Sequence, residues 1–141
     1  MPSTNLVFTD RASHRAWLNT QAALPKGWRV GMHQFGFTAA VTGKPAKMRL
    51  TLLVPDVPTP AFAAVFTQNA FPGAPIVVGR KRLNEKTLGA IAVNTKISNV
   101  CSPTGEQDAI AICDRVASLL KLESPQIFPS STGVIGWKSW C

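Results

Sequence analysis

Apolar and polar positions along this chain fall into short blocks punctuated by proline and glycine. Residues 1–28 are mixed in character, with weak helical spacing at Ala12, Ala16 and Trp17, and they close on Pro25 and Gly27. Such a stretch predicts a loosely packed leader. From Trp28 to Phe37 apolar side chains recur at Val30, Met32, Phe35 and Phe37, a ragged strand pattern interrupted by Gly31 and Gly36. Met48–Val54 is an apolar run closed by Pro55 and Pro58, where proline blocks a ladder. Phe62–Thr67, Pro75–Val78 and Ala90–Val93 are three further apolar runs, and each reads as a strand buried on at least one face. Arg82–Leu88, between the last two, reads as a short polar helix.

The clearest helix spans Gly105 to Leu122. Thr104 with Gln107 predicts a capping box, and Glu106 and Asp108 suit the positive end of the helix dipole. Ala109, Ile110, Cys113, Val116, Ala117 and Leu120 share one face by the 3.6 period, and Ser124-Pro125 stops the helix. Gln126–Phe128 follows as a strand. A strand-helix-strand unit therefore closes a β-rich chain, which predicts an α/β (mixed α+β) fold in one domain over residues 1–141.

Composition agrees with a packed interior: 45% of the 141 residues are hydrophobic and 16% charged. The formal net charge is +8, but the cations are dispersed, and the one dense run, Arg80-Lys81-Arg82, has no interleaved aromatic residue. Single-strand nucleic-acid readers need such stacking platforms, so no nucleic-acid partner is expected. No apolar run approaches the ~20 residues of a membrane-spanning helix. The opening residues carry no basic segment followed by a long apolar stretch, so no secretory signal is expected. Three cysteines without a CxxC spacing predict free thiols and a cytoplasmic setting. His14 and His33 stand apart from acidic or cysteine partners, so no metal site is expected.

Two polar segments hold the candidate chemistry. Asn94 to Gln107 links a strand's carboxyl end to a helix's amino end, where open α/β folds bind ligands. Asn94 and Asn99 are the substrate-binding candidates there, and satisfying turn backbones is their equally weighted alternative. Cys101, at the same helix end, lacks a histidine base in pattern. The second segment is Pro129-Ser130-Ser131-Thr132-Gly133-Val134-Ile135-Gly136. Hydroxyls beside a glycine turn are the ingredients of an oxyanion hole, and also of an ordinary loop.

Several segments in one order resemble the ornithine acetyltransferases, also called bifunctional glutamate N-acetyltransferases of arginine biosynthesis. Ser131-Thr132-Gly133-Val134-Ile135-Gly136 resembles the family's STGVIG motif. Phe62–Asn69 followed by Ala74-Pro75 resembles "AGVFTTN … AAPV". Ala92-Val93-Asn94, Cys101 and Thr104-Gly105-Glu106-Gln107 resemble "VNSGNANACTGEQG".

The resemblance implies the amino-terminal part of a layered sandwich fold, that of acetyltransferases using an amino-terminal threonine. It implies a precursor that cuts itself before that threonine, which then heads a second (beta) chain as nucleophile. It implies acetyl transfer from N-acetylornithine, or from acetyl-CoA, to glutamate, with no cofactor held permanently. Thr132 and Gly133 take the position of the family's oxyanion-hole pair. Two departures stand out. Thr95-Lys96-Ile97-Ser98-Asn99-Val100-Cys101 replaces "SGNANAC", with Ser102-Pro103 inserted after it. The sequence after Lys138 also leaves the family pattern, and none of its threonines sits in the nucleophile's context, so the nucleophile is expected to lie elsewhere. Truncation, a frame change and a short paralogue each fit that ending. The alternative function is a non-catalytic domain of the same fold that binds a small metabolite or a partner.

Overall fold

The computed structural model describes residues 6–138; the opening five residues and Ser139-Trp140-Cys141 lie outside that span. Helix α1 (Arg11–Gln21) opens it, started by Asp10, whose carboxylate accepts from the Ser13 N–H at 2.7 Å. That hydrogen bond holds the Asp10 carboxyl below its usual range. None of the α1 residues is buried. Phe8, His14 and Trp17 gather their rings at its surface, with Phe8 4.8 Å from His14 and 5.5 Å from Trp17.

Strands β1 (Trp28–Thr38) and β2 (Pro45–Pro55) form an antiparallel hairpin, from Trp28 opposite Pro55 to Thr38 opposite Pro45. Strand β3 (Ala90–Asn94) lies antiparallel to β2, with Asn94 opposite Leu50. Strand β4 (Ile127–Ser131) runs parallel to β3, with Ser131 opposite Asn94. The sheet order is β1-β2-β3-β4. A parallel pair needs a crossover, and helix α3 (Gly105–Leu120) supplies it.

Packing follows from that crossover. Cys113, Val116 and Ala117 of α3 press on Ala90, Ala92 and Ile127, with Leu52, Val54, Ile112, Leu120 and Leu122 closing around them. Small alanines on β3 let the helix approach the sheet closely. Helix α2 (Ala74–Arg82) adds a second cluster, in which Ala74 and Val78 meet Ala109 of α3.

Several expectations are corrected. Pro75–Val78 is helical, because proline in a first turn lacks an N–H the helix does not need, and Arg80, Lys81 and Arg82 complement the last turn. The polar helix expected over Arg82–Leu88 is absent: α2 ends at Arg82, and Leu88 bridges to Thr59 instead. Phe62–Thr67 is an unpaired strap rather than a strand. Its apolar content serves two rings: Phe62 packs edge-on against Phe128 at 5.4 Å, and Phe66 fills the notch at Gly79. A Cβ at Gly79 would sit 2.8 Å from the Phe66 ring, which accounts for glycine inside a helix. In α3 the expected capping box is missing: the Thr104 hydroxyl donates to the Asp108 carboxylate at 2.9 Å. The helix stops at Leu120 rather than Leu122, with Lys121 in a left-handed conformation, and Ile110 is exposed.

The basic run is used internally. Arg80 donates to the Thr67 carbonyl, and Lys81 pairs with Glu106 at 2.9 Å. Arg82 is buried and donates to the carbonyls of Ser124 (2.7 Å) and Ile127, tying α2 to β4. Arg82→Met is therefore expected to destabilise the fold by about 2–4 kcal/mol, since it leaves buried carbonyls without donors. Arg80→Ala, at an exposed position, is expected to cost under ~1 kcal/mol. Urea unfolding of the two variants separates these values.

Burial pushes the Cys113 thiol up from its ordinary value, against the opposing pull of the Arg82 guanidinium. The folded chain thus keeps this proton where the unfolded chain releases it. The resulting stability is present below the unfolded thiol value and is lost as pH rises through the folded one. Between about pH 8 and pH 10 the native protein is expected to lose more stability than Cys113→Ala, as read from urea midpoints.

Candidate functional site

The carboxyl ends of β3 and β4 lie side by side, and a loop leaves each of them. The two loops are joined backbone to backbone: Val134 N–H donates to Lys96 O at 2.8 Å, Ser98 N–H to Val134 O at 3.1 Å, and Gly136 N–H to Val100 O at 2.8 Å. The Ser98 hydroxyl adds a bond to Val134 O at 2.9 Å.

Asn94 organises this junction. It is 5% exposed, and its Nδ2 donates to Ile97 O at 2.8 Å while its Oδ1 accepts from the Ser131 hydroxyl. Its backbone carbonyl takes the Thr132 N–H at 3.0 Å. Both ends of the Asn94 amide thus hold the loops in place. Asn99 is 2% exposed in a left-handed turn of φ 57°, which asparagine tolerates. Its Nδ2 donates to Gly105 O at 3.4 Å, and its Oδ1 is buried without a partner among the described residues. The two asparagines therefore serve different ends of the same loop.

Thr132 and Gly133 stand where β4 ends. The Thr132 N–H is engaged by Asn94, whereas its hydroxyl and the Gly133 N–H have no hydrogen-bond partner among the described residues. Both residues are exposed. Gly133 has φ 135°, and a Cβ there would fall 2.2 Å from the Lys96 carbonyl carbon, inside the neighbouring backbone. Glycine is obligatory because the two loops touch. Lys96, in the position of the second residue of "SGNANAC", keeps a left-handed backbone at φ 77° and extends its ammonium to 5.5 Å from the Trp137 ring centre. Ile97, another departure from that pattern, is 1% exposed and so belongs to the core.

Other candidates separate from this junction. Cys101 is exposed and Cys113 buried, and both are free thiols. No cluster of metal-ligating side chains occurs among the described residues. His33 stacks on Phe35 at 6.2 Å. Among the described residues no helix is long and apolar enough to cross a membrane.

The mixed sheet with its crossover helix is the architecture of solved acetyltransferases. The structure of ornithine acetyltransferase complexed with ornithine from Mycobacterium tuberculosis matches with a TM-score of 0.63 at 29% identity, over 79% of this chain and 58% of that one. The arginine biosynthesis bifunctional protein argJ from Bacillus halodurans matches with a TM-score of 0.58 at 28% identity, over 79% and 64% respectively. Residues 34–139 match the profile of the ArgJ family. This chain belongs to the ArgJ family. The arginine biosynthesis bifunctional protein ArgJ of Nitratidesulfovibrio vulgaris is 35% identical over 117 residues, 82% of this chain and 28% of that protein. ArgJ 2 of Clostridium acetobutylicum is 40% identical over 77 residues, 52% of this chain and 19% of its own length. The chain thus spans 28% and 19% of the length of these curated relatives.

Gly133→Ala is expected to cost about 3 kcal/mol or more, because a backbone contact has no rotamer through which to give way. Thr132→Ala removes an exposed side chain and is expected to change stability by under ~0.5 kcal/mol. Denaturant unfolding of both variants checks this, and equal small losses would show that the loops stand further apart.

Proposed function

We propose that this chain forms the oxyanion-hole portion of an amino-acid N-acetyltransferase of arginine biosynthesis. The observation that carries the reading is the pair of donors at the end of β4, the Thr132 hydroxyl and the Gly133 N–H, set in the family's STGVIG loop. Neither donor has a partner among the described residues, and the backbone on either side of Gly133 is held by Thr132 N–H to Asn94 O and Val134 N–H to Lys96 O. Preorganised donors of this kind stabilise a developing oxyanion because no reorganisation is needed during reaction.

In the proposed chemistry an amino-terminal threonine, assisted by its own amino group, attacks the acetyl carbonyl of N-acetylornithine or acetyl-CoA. The carbonyl oxygen becomes negative and is held by Thr132 Oγ1 and Gly133 N–H, worth about 3 kcal/mol per donor. The intermediate collapses to an acetyl-threonine as the donor's amide or thioester bond breaks and ornithine or coenzyme A leaves with the threonine's proton, and the amine of glutamate then takes the acetyl group and frees the threonine in the second half of a ping-pong cycle. The same donors serve self-cleavage before that threonine. Asn94 and Asn99 take part at the β3 side of the site, with Asn94 acting by holding the oxyanion loop.

The threonine is proposed to come from a second (beta) chain. Support comes from the sequence pattern, in which no threonine of the 141 residues stands in the nucleophile's context, and from an apolar cleft of about 460 Å³ between sheet and α3, lined by Phe35, Leu50, Leu52, Ile112 and Leu119 among others. A cytoplasmic setting is proposed from the free thiols Cys101 and Cys113.

The 141 residues alone are expected to give no acetyl transfer from N-acetylornithine to glutamate. Co-expressed with a beta chain, they are expected to give transfer that Thr132→Ala lowers about a hundred- to a thousandfold in kcat. Robust transfer by the 141 residues alone would remove the two-chain reading. An unchanged kcat in Thr132→Ala would remove the oxyanion role.

A further inference from the structure

A cleft of about 610 Å³ opens between the loop end of the β1–β2 hairpin and the loop that leaves β3. Thr38, Pro45, Ala46, Lys47 and Lys96 are among the residues that line it. Two lysines line this cleft and no acidic residue does. Neither ammonium group has a carboxylate at ion-pair distance among the described residues, where the ion pairs are Arg29–Asp56 and Lys81–Glu106. Gly36, opposite Lys47 on β1, also lines the cleft and adds no side chain to it.

Lys96 is the less expected of the two cations. It stands where the family's SGNANAC segment has glycine, in a left-handed backbone of φ 77°. That conformation suits glycine and is costly for lysine, so the side chain does not serve the loop's own backbone. Its ammonium lies 5.5 Å from the Trp137 ring centre, which steadies the charge while leaving its N–H donors available. The Lys96 backbone meets the oxyanion loop: its carbonyl accepts the Val134 N–H at 2.8 Å, and a Cβ on Gly133 would fall 2.6 Å from its Cα. The cleft therefore begins within one lysine side chain of Gly133.

That separation selects among anions. An acyl amino acid carries its carboxylates within a few bonds of the acyl carbonyl, whereas the phosphates of a thioester carrier sit at the end of a long arm. We infer that Lys47 and Lys96 form a carboxylate subsite beside the oxyanion loop, selecting a dicarboxylic amino acid or its N-acyl derivative as substrate. Lys96 is a positioning residue in this scheme: it holds the far end of a substrate whose carbonyl faces Thr132 and Gly133. As a substrate subsite it rests on the proposed acetyl transfer, but its test measures binding alone, so the two fail separately.

The 141-residue chain, labelled with ¹⁵N, is titrated with glutarate, butyrate and pyrophosphate at constant pH and ionic strength. Amide shifts at Thr38, Lys47, Lys96 and Gly133 report occupancy. Glutarate is expected to move these amides and to bind about fivefold or more tighter than butyrate, which has a single carboxylate. Lys96→Gln and Lys47→Gln are each expected to weaken glutarate about fivefold, and Lys96→Arg to retain it. Lys26→Gln, which removes the same charge elsewhere, is expected to leave binding unchanged. Lys96→Gly relieves the backbone, so it is expected to lose binding without a fall in urea midpoint. Equal affinity for glutarate and butyrate, or no shift at these amides, would overturn the inference. So would tighter binding of pyrophosphate, an equal loss in Lys26→Gln, or a loss in Lys96→Gly matched by a lower urea midpoint.

Discussion

Everything at the candidate site hangs on one amide. Asn94 ends β3, is almost wholly buried, and binds the loop after its own strand as well as the last residue of β4. A net hydrogen bond is worth about 1 kcal/mol, but a buried amide left unpaired forfeits about 1–3 kcal/mol, so the arrangement tolerates little drift. Because Asn94 holds both loops, they lie close enough to share three backbone bonds. That closeness in turn excludes any side chain at Gly133. The backbone at Thr132 and Gly133 thus inherits its position from buried groups.

The frame beneath follows the same logic of small residues admitting large neighbours. Ala90 and Ala92 let α3 sit close on the sheet, and Gly79 lets the Phe66 ring lie against α2. Arg82 closes the assembly by reaching from α2 to the carbonyls around the start of β4. Its guanidinium keeps donors to spare for those carbonyls, a task a lysine would perform with less directional control. The strand-helix-strand unit is therefore braced from behind, and the loops at its far end are supported by a rigid platform.

Much of this was legible in the residue pattern, for identifiable reasons. Strands β2 and β3 and helix α3 carry uninterrupted periodic signals, and their cores are the ones that formed. The errors occur where one residue type serves two purposes. Pro75 reads equally as a strand boundary and as a first-turn helix residue, and only the tertiary contact of Ala74 and Val78 with Ala109 decides it. Phe62 and Phe66 gave a strand-like apolar run although their role is to plug separated hollows. At the site, the STGVIG loop was visible as a string of letters, and so were the two asparagines. That one asparagine is fully bonded and the other keeps an orphaned oxygen was not visible, because hydrogen-bond partners forty positions away leave no local trace.

Strand β1 carries a different kind of consequence. It is the sheet's outer strand beside β2, and it shows Val30, Met32 and Phe35 to solvent along with one full row of backbone donors and acceptors. Lysine is absent from its eleven residues, and its two charges or potential charges, Arg29 and His33, are widely spaced. A strand so little defended is a template on which another extended segment can add itself. The crowding of neighbouring molecules, and not only the temperature or denaturant around one of them, thereby becomes a variable that governs how long this chain stays in its own fold.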